Sequence, residues 1–180
     1  MAIKTANNNS MSAITALPSG VSAKSLILLA TETASSSATI SFTSNIDDTY
    51  NEYVFKFINI HPSAESVFSF QADTGTNTSY NQTITSASFR AFHREDAGEN
   101  GLGYITGGDQ AQGTGFQHLM ESPQLGTNND ENLNGTLHIY NPSSTTFVKH
   151  FTATTNGCHE GDITREVFTA GYFNTTTALT

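Results

Sequence analysis

The densest run of potential ligands and nucleophiles is Cys158-His159-Glu160-Gly161-Asp162. Zinc takes four donors, commonly from paired spacings. The chain has a single cysteine and no two histidines at helical spacing. A Cys-His nucleophile needs both side chains on one side, whereas neighbours on a strand point to opposite faces. The run therefore reads as a polar loop between strands. Asn128-Asn129-Asp130-Glu131-Asn132 offers oxygens of the kind Ca²⁺ prefers, but it lacks alternating acidic positions with a glycine at the sixth. It reads as a solvated loop. His93-Arg94-Glu95-Asp96 with Glu99 reads as a charged loop whose ion pairs contribute little when exposed. The six histidines are scattered. His138 and His150 flank an Asn-Pro-Ser-Ser turn. On paired strands they would share a face and respond to pH, though their plain reading is as outward strand residues. The chain has no Gly-x-Ser-x-Gly elbow, phosphate loop, His-Glu-x-x-His or dinucleotide fingerprint. No catalytic residue, metal or cofactor follows from these positions.

The elements that would place these groups are strands. The 180 residues suit one domain with a real core. Thr, Phe, Tyr and Val favour pleated surfaces, and charged residues are only 13%. EYVFKFINI puts Tyr53, Phe55 and Phe57 on one face, with Val54, Lys56 and Ile58 on the other. VFSFQA aligns Phe68 with Phe70, TITSASFRAFH aligns Ala87, Phe89 and Ala91, GTLHIYN aligns Leu137 with Ile139, and TFVKHFTAT aligns Phe147 with Phe151. REVFTAGYFN closes the series. SLILLATET is a continuous apolar run suited to a strand covered on both faces, and SATISF alternates. Residues 109–121 have room for one short helical turn. Gly, Asn, Asp and Ser fill the connections, as turns require. About eight strands predict an all-β antiparallel sandwich, jelly-roll-like, over residues 24–180. Its expected core holds Phe55, Phe57, Phe68, Phe70, Phe89, Leu137, Ile139, Phe147 and Phe151.

Residues 1–23 read as an extended N-terminal arm, polar and unpatterned, punctuated by Pro18-Ser19-Gly20. Ile3, Met11, Ile14 and Leu17 are its large apolar anchors, and the arm is the expected assembly element. Net charge is −9, and the seven basic residues are dispersed. That field disfavours nucleic acid and anionic membrane surfaces as partners. A lone cysteine excludes an intrachain disulfide and fits a reducing compartment. Residues 1–20 lack the apolar segment of a secretory leader.

MAIKTANNNS and ITALPSG resemble the start of small virion structural proteins of marine tailed bacteriophages. YNEYVFKFINIHPS followed by FSFQADTGTNTSYN is similar to a pattern in phage structural and tail-associated β-proteins. There, a strand ending in a Pro turn precedes one ending in an Asp/Gly-rich turn and a Tyr. NGTLHIYNPSSTTFVKHF and AGYFNTTTALT extend the likeness in scattered blocks over most of the chain. The resemblance implies a non-enzymatic particle component assembled in the host cytoplasm. It would be a capsid-surface decoration protein that binds the major capsid protein or other virion proteins and its own copies as a homo-oligomer. The alternative it implies is a tail or tail-fibre component binding host glycans. A glycan-active enzyme on the same scaffold is the third reading.

Overall fold

The structure is a computed structural model that describes residues 26–75, 77–121 and 125–180. The chain divides into two units, Met1–Ile40 and Ser41–Thr180. The arm anchors Ile3, Met11, Ile14 and Leu17, and the arm's boundary at residue 23, lie outside the described residues.

In the first unit, residues 26–40 carry no strand and are exposed throughout. This corrects the expectation that SLILLATET and SATISF form strands. Their pattern suits pairing, but a strand also needs partners for its backbone groups.

The second unit is all-β and antiparallel, with nine strands and no helix among the described residues. They are β1 (Glu52–Ile60), β2 (Ser69–Phe70), β3 (Ile84–Arg94), β4 (Asn100–Tyr104), β5 (Ala111–Gly113), β6 (Gln117–His118), β7 (Leu133–Tyr140), β8 (Lys149–His159) and β9 (Ile163–Phe173). The span 109–121 thus holds two short strands where a helical turn had room. Seven strands form one sheet in the order β1-β7-β8-β9-β3-β4, with β5 also paired to β3; β2 and β6 form a two-stranded ribbon. The turns take the residues their backbones demand. Gly161 and Asp162 both have positive φ in the β8–β9 hairpin, and Asn141 has φ 47° between β7 and β8.

One face of the large sheet is lined by Leu137, Ile139, Phe151, Ala153, Phe173 and Ile84, all buried. Phe70 of the ribbon meets the rings of Phe151 at 5.0 Å and Phe173 at 6.0 Å, while Phe68 meets Phe57 at 4.8 Å. These edge-on contacts match the preference of aromatic quadrupoles. Phe55, Phe57, Phe68 and Phe70 are partly buried against this core. A second cluster of Ile105, Met120, Leu125, Leu133 and Val167 continues it. Gly171 is required where it stands, because a Cβ there would lie 2.7 Å from the Phe151 ring.

Two expected core residues are not in the core. Phe89 is 47% exposed, because β3 turns its other face inward. Ile84 and Ser88 are fully buried there, and the polar members of that face are hydrogen-bonded. Ser88 contacts Thr169 at 2.9 Å, and the Ser86 hydroxyl donates to Gln117 at 2.5 Å. Once paired, polar groups are tolerated inside. Phe147 is 70% exposed, since it precedes β8 and sits on the connecting loop. The inward position at the start of β8 belongs to Lys149, which is fully buried.

Candidate functional site

Register fixes what the outward face of the large sheet presents. Residues directly opposite on neighbouring strands share a face. His150 pairs with Tyr172, which pairs with Thr85; Thr152 pairs with Ala170, which pairs with Ala87; Thr154 pairs with Phe168, which pairs with Phe89 and then Tyr104. These cross-strand rows alternate in height. His150 and Tyr172 stand with ring centroids 5.7 Å apart, and Phe168 and Phe89 stack at 4.9 Å and 12°. Between them, Ala170 and Ala87 leave a floor without large side chains. The result is an open depression of about 390 Å³ that includes Thr85, Thr152 and Tyr172 in its lining. Beyond it, His138 holds Glu52 at 2.7 Å and stacks with Tyr140, whose hydroxyl lies 3.1 Å from Thr152. Rings for apolar contact and hydroxyls for hydrogen bonding lie side by side here, the composition of a docking surface. His138 and His150 do share this face; His138 is opposite Thr152.

The inward face carries charge that the sequence reading did not place. Glu121 forms ion pairs with both Arg90 and Arg165, which brings two guanidinium groups to one carboxylate. Arg90 also lies 4.7 Å over the Phe92 ring. Burial, followed by the nearby Arg90 charge, pulls the Arg165 pKa down to about 10, against the pull of Glu160. Glu160 in turn is raised, first by the neighbouring Glu65 carboxylate. The buried Lys149 amine donates to the Thr175 carbonyl at 3.1 Å and the Thr177 carbonyl at 2.6 Å. Burial lowers its pKa. Asp73 is buried and accepts from the amides of Thr74 (2.9 Å) and Tyr80 (2.7 Å) and from the Gln82 side chain (2.9 Å). These groups tie loops and the last residues to the sheet. The one available signal for Lys149 was its alternation in phase with Phe151.

The runs singled out for chemistry do not converge. Cys158 and His159 point to opposite faces of β8, with His159 buried inward. The Cys158 thiol is raised by burial and then by acidic neighbours, Asp130 foremost, so it is a poor nucleophile. Glu131 is buried, and its carboxylate accepts the Asn128 amide at 2.6 Å, closing its own loop. Arg94 pairs with Asp96 at 3.4 Å on the exposed β3–β4 hairpin. Among the described residues, no group of three or more His, Cys, Asp or Glu is arranged to hold a metal ion. Nor is any helix among them long and apolar enough to cross a membrane. Compared with protein-family models, curated proteins and solved structures, the chain matches none.

Proposed function

We propose that the chain is a non-enzymatic structural protein of a bacteriophage particle, a decoration protein that binds the capsid shell and neighbouring copies. The placement in a virion rests on the likeness of its sequence blocks to phage structural proteins. The observation that carries an assembly role is the exposed apolar surface. Leu26, Ile27, Leu28 and Leu29 are all exposed, Leu28 to 82%, and Ile58, Leu102 and Phe147 are exposed on the sheet unit. Four consecutive exposed apolar side chains on one segment, with further ones on the sheet unit, offer the kind of surface that marks a contact region. Its partners are the major capsid protein or other virion proteins, and the contacts need neither cofactor nor metal. The scarcity of basic side chains argues against a nucleic-acid role.

The depression beside His150 and Tyr172 favours a second reading, a tail or tail-fibre component whose rings stack on host glycans. Quantifying the chain in purified particles and locating it by labelled electron microscopy tests both. Hundreds of copies on the shell are expected; a handful at the tail, with binding on a glycan array, selects the second reading. Absence from particles rejects both, and hydrolysis of host polysaccharide by the purified protein replaces them with an enzyme.

A further inference from the structure

Among the described residues, the large sheet ends in two edges built in opposite ways. Alternate residue pairs of an antiparallel ladder exchange hydrogen bonds, and the residues between them turn their N–H and C=O groups to the other side. On the β1 side, the Asn141 amide donates to Asn51 at 2.6 Å, which fixes the phase. Glu52, Val54 and Lys56 therefore face the open edge. Two of these three are charged, and a register shift between Phe57 and Ile60, with Asn59 at φ 53°, breaks the line. Charge and a bulge are the devices that keep an edge from pairing.

The β4 strand has neither, and the register shift on this side of the sheet lies in the β5–β3 pairing, between Ile84 and Thr85. The Ile105 amide donates to Ser88 at 2.9 Å and the Arg94 amide to Glu99 at 2.8 Å. These bonds bracket the register from Phe89–Tyr104 to His93–Asn100. Gly101 and Gly103 thus bond to β3, and Asn100, Leu102 and Tyr104 turn their backbone donors and acceptors outward. All five residues of β4 are exposed, with Leu102 at 75%. The strand has no charge, proline or bulge.

We propose that β4 is the surface through which two copies of this chain meet, antiparallel, about a two-fold axis at Leu102. The strand is its own complement. Leu102 lies opposite Leu102 of the second copy, Asn100 opposite Tyr104, and Gly101 opposite Gly103, so no side chain obstructs the inward side. Such pairing is isologous. It completes about six backbone hydrogen bonds across the axis. It also sets Tyr104, at the end of the outward row of Phe168 and Phe89, against Asn100 of the second copy. The Tyr104 hydroxyl is already oriented by Asp109 at 2.7 Å. A five-residue edge buries less than the roughly 1,200 Å² of a stable free complex. The contact is therefore weak in dilute solution and effective where copies are crowded. This deepens the assembly reading by naming the face on which copies touch.

Sedimentation of the full-length chain over a wide concentration range tests it. A dimer is expected at high concentration. Leu102→Lys, at an exposed position, is expected to lower the dimer fraction about tenfold by setting like charges across the axis, with the circular dichroism spectrum unchanged. In a Cys158→Ser background, Leu102→Cys is expected to give a covalent dimer on mild oxidation, faster than Lys56→Cys on the β1 edge or Leu28→Cys in the exposed apolar run. A chain monomeric at every concentration, a dimer that survives Leu102→Lys, or faster cross-linking through position 56 or 28 overturns the proposal. Because the measurement uses purified protein, a chain that dimerises but is missing from particles refutes the virion role alone. A monomeric chain on the shell refutes this contact alone.

Discussion

Asp73 holds a turn together by accepting hydrogen bonds from groups up to nine residues away. Burial alone would raise its pKa, but the amides of Tyr80 and Thr74 and the Gln82 side chain outweigh that and hold it below the ordinary 3.8. A depressed carboxylate stabilises the fold fully above its unfolded pKa, and the contribution disappears as pH falls through the lower folded value. Asp73→Asn would aim an amide N–H at a donor in the same cradle. The expected loss at neutral pH is about 1–3 kcal/mol. Urea unfolding from neutral pH down to pH 3 should also show a flatter acid limb in the variant than in the parent. Parallel acid limbs would mean that Asp73 is not the linked group.

At the scale of elements, alternation was legible and orientation less so. EYVFKFINI and GTLHIYN announced β1 and β7 because their inward residues are rings and aliphatics. β3 alternates just as clearly, but its buried face holds Ser86, Ser88 and Arg90, whose partners come from distant segments. No local pattern reveals that a serine will find Gln117 or Thr169. The charged cluster at Glu121 stayed hidden for the same reason. Phe147 misled differently: it keeps phase with Phe151, but the strand begins at Lys149, whose amine is satisfied by the Thr175 and Thr177 carbonyls. Two substitutions separate phase from burial. Phe151→Ala empties a site among Phe70, Phe173 and Gly171 and should cost about 3–5 kcal/mol in chemical unfolding. Phe147→Ala should stay within about 0.5 kcal/mol, as exposed substitutions do. Equal losses would show that the loop before β8 packs inward.

For the whole molecule, charge and apolar surface pull in opposite directions. Each copy carries a net charge of −9, so copies repel at distance. The β4 edge contributes no charge of its own, and its pairing rests on backbone bonds and Leu102. Salt therefore weakens the repulsion without weakening the contact. The screening length falls from about 30 Å at 0.01 M to about 10 Å at 0.1 M. Self-association measured by sedimentation should rise several-fold over that range, and Leu102→Lys should abolish most of it at either salt concentration. Association that instead declines with salt would mean that copies meet through patches of opposite charge. The dispersed lysines and arginines would then be the place to look, and the neutral edge would be a bystander.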